Sequence, residues 1–242
     1  MRTLADQFDA GSSRYDLLVG LNPGYHAALA FSARALAERV RRVPGAPLRI
    51  LDLGCGSGAS TTALVRALPT DTLLQGLDAS AGMLAAGARK AWPSWVSFGQ
   101  AVCGELDLDT IGRGRWDGVH AAYLFRNIPA ERRDAALAEV WELLAPGGWL
   151  ITQEYSVAGD QRATAVWEIV SRGLISPLAA AFDPGNGDLY RYLRRSVREF
   201  DSTEEFCSRL SAAGFVDVAR HDVRGWQRGI LHTFRAHKEA TA

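Results

Sequence analysis

The sequence has few cysteines, no net charge and no long apolar run. Its three cysteines, Cys55, Cys103 and Cys207, are too widely spaced for a zinc site or a disulfide framework. Lysine plus arginine and aspartate plus glutamate number 27 each, so the charge balance gives no sign of a basic tail that would bind nucleic acid. No apolar run reaches the roughly 18 residues of a membrane span. We therefore expect no metal, no nucleic acid and a small-molecule ligand.

The N-terminus and the length of the chain indicate its location and its number of domains. Residues 1–16 carry charges and lack the apolar core of a signal peptide, so we expect a cytoplasmic protein. A chain of 242 residues with 48% hydrophobic content can bury a sizeable core. No internal repeat or low-complexity tract divides it. The sequence therefore predicts a single domain over residues 1–242.

A glycine-rich segment organises the chain. An apolar run over residues 48–53 is followed by Gly54, Gly56 and Gly58, and a helical pattern begins directly after them. This order predicts a strand, a tight turn and a helix N-terminus. Glycine permits a positive φ and lets a ligand approach the backbone, while the helix start offers unpaired N–H groups and a partial positive charge. We therefore expect a ligand at this turn.

Two ligand classes fit such a turn. Gly54, Gly56 and Ala59 match the dinucleotide fingerprint formally, and Asp78 lies about 20 residues further on, where a ribose-binding acid is expected. Asp52 stands directly before the turn, and its carboxylate would repel a pyrophosphate but attract an ammonium group. S-adenosylmethionine has an ammonium group, a ribose and no phosphate. The residues therefore favour S-adenosylmethionine, with an incidental glycine turn in a nucleotide-free α/β domain as the alternative.

Three motifs in order resemble the class I S-adenosylmethionine-dependent methyltransferases: LDLGCGSG at 51–58, GLDASAGML at 76–84 and LLAPGGWL at 143–150. The resemblance implies an α/β, Rossmann-like fold with a seven-stranded, mostly parallel sheet, a C-terminal antiparallel hairpin and a helical lid insertion. It also implies a set of cofactor-binding residues. These are Asp52, Gly54, Cys55, Gly56, Gly58, Asp78, Ala79, Met83, Val102, Cys103 and Tyr123.

The residues expected at the adenine depart from the family. An aspartate usually follows the third strand there and accepts a hydrogen bond from the adenine amino group, but this chain has Val102, Cys103, Gly104 and Glu105. Either backbone groups contact the adenine or Glu105 substitutes for the aspartate. How the chain contacts adenine stays open.

The rest of the pattern alternates strands and helices, which predicts right-handed crossovers and a parallel sheet. Residues 159–200 interrupt the alternation with two helical stretches joined by a turn-rich link at 183–188, which predicts a substrate-covering lid or, alternatively, a dimer contact. The expected strands are 48–53, 72–77, 95–102, 116–122 and 149–155, and then a hairpin of 215–223 and 230–236. The expected helices are 25–43, 58–68, 130–144, 165–174, 190–197, one capped by Ser80 that carries Met83, Leu84 and Ala88 on one face, and one that begins with a capping box at 202–205.

Further segments resemble the ubiquinone/menaquinone C-methyltransferases. They are FD…YDL at 8–17, LFRN at 124–127, RDAAL at 133–137 and the helical stretch 190–200. The resemblance implies N-terminal cap helices over residues 1–45 and a quinol-type acceptor, prenylated or not. Departures at 21–26 and 231–234 leave two alternatives open: a secondary-metabolite C-, O- or N-methyltransferase on an aromatic or polyketide-like acceptor, and a non-catalytic cofactor-binding scaffold. A homodimer and a peripheral membrane contact also stay open.

The same resemblance points to the catalytic residues. It implies that Arg126 and Asn127 stand beside the acceptor and that Tyr15 covers the site. Because arginine stays protonated, we expect Arg126 to stabilise a phenolate, with water or His26 taking the proton. The alternative is that Arg126 only pairs with Asp134 or another carboxylate.

Overall fold

The computed structural model describes residues 24–41, 45–175, 177, 187–223 and 225–240. The strands within them are β1 (Arg49–Leu53), β2 (Leu73–Asp78), β3 (Val96–Gln100), β4 (Trp116–Ala122), β5 (Leu144–Tyr155), β6 (Val216–Asp222) and β7 (Leu231–His237). The α-helices are α1 (Tyr25–Ala37), α2 (Ala59–Ala67), α3 (Ala81–Ala88), α4 (Leu108–Ile111), α5 (Arg133–Leu143), α6 (Gln161–Val170), α7 (Gly187–Glu199) and α8 (Thr203–Ala212).

The strands form one sheet in the order β3-β2-β1-β4-β5-β7-β6. The first five are parallel, and β7 pairs antiparallel with both β5 and β6. The predicted parallel sheet with a C-terminal hairpin is confirmed. The strand order reverses between β1 and β4, and open α/β sheets bind ligands in the crevice outside the carboxyl ends at such a point.

Helices cover both faces of the sheet. On one face α1 packs against α2 and β5, and its buried residues join a core that includes Ile50, Leu74 and Ile151. On the other face α5 and α8 contribute to a second core, in which Phe206 contacts the rings of Phe125, Phe200 and Phe234. The carboxyl ends of the central strands are thus held on a rigid layer.

Some predicted element boundaries were wrong for local reasons. The helix expected at 165 begins at Gln161, because the Asp160 carboxylate accepts the N–H of Ala163 as an N-cap, and it ends in a π-helical turn at Ser171–Ile175. Strand β3 ends at Gln100, so Val102 lies beyond it. The capping box is confirmed, since Ser202 and Glu205 each accept the other's backbone N–H.

Part of the predicted organisation lies outside the described residues. This applies to residues 1–23, which include Tyr15, and to 183–186 of the turn-rich link. Helix α7 follows the link and is longer than the 190–197 expected from the sequence. None of the helices in the described ranges has the length and apolar character needed to cross a membrane.

Candidate active site

A cavity of about 510 Å³ opens at the carboxyl ends of β1 to β4. Nine of the eleven residues predicted to bind a cofactor line it: Gly54, Cys55, Gly56, Asp78, Ala79, Met83, Val102, Cys103 and Tyr123. Asn127, predicted beside the acceptor, lines it as well. The other predicted residues that the structure describes, Asp52, Gly58, Arg126 and His26, lie outside its wall.

The glycine turn forms the floor of the cavity. The N–H groups of Gly54 and Cys55 both donate to the Leu77 carbonyl, at 2.8 and 3.1 Å, and Gly54 and Gly56 have φ of 69° and 54°. A Cβ on Gly54 would lie 3.0 Å from Leu124 Cδ1, and one on Gly56 would lie 3.1 Å from Met83 Cε. Both positions therefore need glycine, and the turn is open to a ligand.

Gly58 has a different reason to be glycine. It precedes α2 with φ of 92°, and a Cβ there would come within 2.6 Å of the Trp92 ring. The residue leaves room for the Trp92 ring and is not part of the cavity wall.

Asp78 is the last residue of β2 and links the two turns around the cavity. Its Oδ2 accepts the Gly56 N–H at 2.7 Å, and its Oδ1 accepts the Ser80 N–H at 2.8 Å. Each carboxylate oxygen can accept more than one hydrogen bond. The geometry therefore fits the predicted contact with ribose hydroxyls.

Asp52 is fully buried beneath the turn. Its Oδ2 accepts from Ser60 Oγ at 2.8 Å and from Thr61 Oγ1 at 2.6 Å, while Oδ1 lies 3.2 Å from His120 Nδ1. His120 Nε2 in turn lies 2.9 Å from Ser32 Oγ on α1. This geometry does not favour the predicted direct contact with an ammonium group. Asp52 instead fixes the start of α2 from below.

Arg132, which the sequence analysis did not identify, lines the cavity wall beyond β3. Val102 is 43% exposed here, and Arg132 lines the cavity beside it. Glu105, expected as a substitute for the missing aspartate, lies outside the wall because its Oε1 pairs with Arg132 Nη2 at 2.6 Å. The expectation for Glu105 is therefore not supported.

The side of the cavity at the end of β4 is aromatic. Tyr123, with φ of 61°, stacks on Tyr25 at 5.5 Å and on Tyr155 at 5.0 Å between ring centroids. Asn127 Nδ2 donates to the Tyr123 carbonyl at 2.8 Å. Its Oδ1 is buried and has no hydrogen-bond partner among the described residues. Such an orphaned acceptor suits a hydroxyl donor from a ligand.

Arg126 lies behind this aromatic wall and not in the cavity. Its Nη1 donates to Ser196 Oγ on α7 at 2.9 Å, and its Nε lies 3.7 Å from Glu154 Oε2. The guanidinium is turned towards a carboxylate on the neighbouring strand, and the place of Arg126 beside the acceptor stays a prediction. That carboxylate is not Asp134, which pairs with Arg209 at 2.6 Å.

Glu154 on β5 was not identified from the sequence. Its side chain is fully buried, and Oε1 accepts the Phe125 N–H at 2.6 Å. Burial raises its pKa to about 7, although Arg126 and backbone N–H groups favour the charged form. Glu154 therefore holds both Arg126 and the turn that follows β4.

His26 and the cysteines have no reactive setting in this geometry. The His26 ring is exposed, packs edge-on against Tyr25 at 5.3 Å and lines a separate cleft between α1 and α2, so it is not supported as the proton acceptor. Burial raises the pKa of the Cys55 thiol far above its usual range and that of Cys103 to about 12. Both thiols therefore stay protonated.

The fold is that of the class I methyltransferases. The solved structure of Haemonchus contortus phosphoethanolamine N-methyltransferase 2 in complex with S-adenosyl-L-methionine matches with a TM-score of 0.68 and 16% identity, covering 99% of this chain. This chain spans 60% of the length of that protein, so the likeness concerns the fold. The predicted fold class is confirmed.

The ubiE/COQ5 methyltransferase family model matches residues 5–238. A demethylmenaquinone methyltransferase of Mycolicibacterium vanbaalenii is 31% identical over 92% of this chain and 90% of its own length. A ubiquinone/menaquinone biosynthesis C-methyltransferase of Methylobacterium nodulans is 29% identical over 90% of this chain and 84% of its own length. The chain belongs to the ubiE/COQ5 methyltransferase family and is an S-adenosylmethionine-dependent methyltransferase.

Proposed function

We propose that this protein transfers the methyl group of S-adenosylmethionine to a ring carbon of a quinol-type small molecule. The observation that carries the proposal is the family match over residues 5–238, which spans both the glycine turn and the segment after β4. The names of the curated relatives, a demethylmenaquinone methyltransferase and a ubiquinone/menaquinone C-methyltransferase, support this class of acceptor.

The described residues fit the cofactor in two places. The turn at Gly54 and Gly56 offers backbone where side chains would clash, and it suits the amino-acid end of the cofactor. The Asp78 carboxylate, fixed by two backbone N–H groups, suits the ribose hydroxyls. Asp52 supports this arrangement from below through Ser60 and Thr61.

The chain has to make a ring carbon nucleophilic and align it. When bound, S-adenosylmethionine supplies an electrophilic methyl group, whose C–S bond breaks as the new C–C bond forms and leaves a neutral thioether. The ring carbon becomes a good nucleophile when a neighbouring hydroxyl is deprotonated, and the ring carbon's own proton leaves to water afterwards. Asn127 Oδ1 is suited to accept from an acceptor hydroxyl and so orient the ring.

Arg126 acts on this step from behind the wall. Its guanidinium carbon lies 5.7 Å from the Tyr123 ring centroid and 6.0 Å from that of Tyr155. A fixed positive charge in a buried setting favours the phenolate form of a nearby acceptor. We therefore assign Arg126 an electrostatic and positioning role, with Glu154 and Ser196 holding it.

Residues 159–200 are proposed as the lid. Helix α7 is tied to the turn after β4 at two points, because Ser196 accepts from Arg126 and Tyr192 Oη donates to the Asn127 carbonyl at 3.4 Å. The helix therefore lies where it can cover an acceptor beside Asn127. A dimer contact through this segment is the alternative.

The setting of the reaction is part of the proposal. Three free cysteines agree with a reducing compartment such as the cytoplasm. A prenylated acceptor would require peripheral contact with a bilayer, which flotation with lipid vesicles would detect. Size-exclusion chromatography with light scattering would test for a homodimer.

A methyl-transfer assay tests the function. Purified protein is incubated with methyl-labelled S-adenosylmethionine and, separately, with a reduced demethylnaphthoquinone, a simple phenol and a polyketide-like diketone. Label transfer to the quinol in preference to the others supports the proposal. Transfer to another acceptor favours secondary metabolism, and cofactor binding without turnover favours a scaffold.

A further inference from the structure

The cavity wall beyond Asp78 carries the positive charge of Arg132. Among the described residues that line the cavity, Asp78 is the acidic side chain and Arg132 the basic one. The Ala101 N–H donates to the Asp78 carbonyl at 3.0 Å, so the segment after β3 lies directly beside the carboxylate assigned to the ribose. The base attached to that ribose therefore meets residues 101–103 and Arg132.

Arg132 is held in place but keeps free donors. Its Nη2 donates to the Gly104 carbonyl at 3.1 Å and to Glu105 Oε1 at 2.6 Å. Its Nε and Nη1 form no hydrogen bond with any residue of the described ranges. A guanidinium carries five N–H donors and no acceptor. Arg132 can thus donate to a purine ring nitrogen but cannot accept from a purine amino group.

The neighbouring residues leave that amino group without a charged partner. Val102 is 43% exposed and apolar, and its carbonyl already accepts the Glu105 N–H at 3.0 Å. The Glu139 carboxylate, behind the segment, accepts the N–H groups of Gly104 and Leu106 at 2.6 and 3.1 Å, which fixes the turn. The Glu105 carboxylate is taken by Arg132.

We propose that Arg132 holds the purine of the cofactor through its N–H donors and that the site does not select for the amino group at purine position 6. This inference rests on the proposed function, because it takes the cavity as the S-adenosylmethionine site. A carboxylate beside position 6 would repel a purine that carries oxygen there. The ring nitrogens N3 and N7 accept hydrogen bonds in both purines, so Arg132 donors that face either of them do not distinguish the two bases. The protein should therefore bind S-inosylhomocysteine nearly as well as S-adenosylhomocysteine.

Calorimetric titration of the full chain with these two thioethers tests the inference. The wild-type dissociation constants should differ by less than about tenfold, since no charged hydrogen bond distinguishes the two ligands. Arg132→Gln should weaken binding of both about tenfold through loss of a charged donor. Arg113→Gln is the matched control, because Arg113 is also an exposed, ion-paired arginine but lies outside the cavity wall, and its affinities should stay unchanged.

A second variant introduces at position 102 a carboxylate that can accept a hydrogen bond from the purine amino group. Val102→Asp should lower the affinity for S-inosylhomocysteine relative to S-adenosylhomocysteine by about tenfold or more. A wild-type preference for the adenosyl ligand above about tenfold, or an unchanged affinity in Arg132→Gln, overturns the inference while the proposed function stands. Failure of S-adenosylhomocysteine to bind at all overturns the cofactor assignment itself.

Discussion

Replacing Glu154 with glutamine should change how the stability of the protein depends on pH. Glutamine has nearly the same shape and can still accept the Phe125 N–H that Glu154 Oε1 accepts at 2.6 Å, but it cannot ionise. Burial raises the pKa of Glu154 from its ordinary value of 4.5 to about 7 in the folded protein. The folded protein therefore holds a proton on this group that the unfolded chain has released between these two pH values.

The sign and size of the change in unfolding free energy follow from the difference in proton binding between the folded and unfolded states. The stabilising contribution of a raised pKa is fully present below the unfolded value and is lost as the pH rises through the folded value. For this shift, the wild type should lose about 2.5 kcal/mol of unfolding free energy between pH 5 and pH 8 through this group. Glu154→Gln lacks this loss, so its stability relative to the wild type should rise by that order over the same range.

Urea unfolding of both proteins at several pH values measures the difference, because the other titrating groups are shared. Glu204→Gln serves as a sign control: hydrogen bonds from backbone N–H and the Thr203 hydroxyl lower the pKa of this exposed carboxylate. Its contribution is lost as the pH falls, so the small change should have the opposite sign. Parallel pH profiles for the wild type and Glu154→Gln, within about 0.5 kcal/mol, would refute the buried setting of this carboxylate.

Three further outcomes are expected. Asp78→Ala should weaken S-adenosylmethionine binding roughly tenfold to a hundredfold in calorimetry, and unchanged affinity would contradict the ribose contact. Arg126→Lys keeps the charge near Glu154 but loses the fork towards Ser196, so kcat should fall about tenfold with cofactor affinity unchanged, whereas an unaffected kcat would exclude a role in the reaction. Amide hydrogen exchange in α6 and α7 should slow when cofactor and acceptor are both bound; unaltered exchange would favour a dimer contact over a lid.

The glycine turn was predictable because its signals are local. The three glycines follow an apolar strand directly, and their positive φ values agree with the reason given for them. The N-caps at Ser80 and Ser202 are local in the same way, since each hydroxyl accepts an N–H three residues ahead. Features that are formed by residues close together in the chain can therefore be predicted from the sequence.

The directions of the side chains after β4 could not be predicted from the sequence. Phe125–Asn127 form a 3₁₀ turn, in which residues three apart lie on the same side. Leu124 and Asn127 therefore line the cavity, while Arg126 points behind it. The sequence motif contains both Arg126 and Asn127 but does not say that the turn separates them.

Strand register decides the remaining contacts. Asp52 pairs directly with His120 across β1 and β4, which brings the imidazole to the carboxylate under the glycine turn. Alternation along β4 predicts which residues share a face, but not which residue of β1 each one meets. His120 was missed for this reason. Glu154 was missed because its partners, Phe125 and Arg126, lie in the turn beyond the end of β4, the neighbouring strand.

The position of the transferred methyl group distinguishes transfer to a ring carbon from transfer to oxygen. The protein is incubated with S-adenosylmethionine carrying a ¹³C-methyl group and a reduced demethylnaphthoquinone, and the product is examined by NMR. We expect a single new methyl resonance coupled to a ring carbon. A methyl resonance on oxygen, or cofactor binding with no methylated product from this quinol, would contradict it.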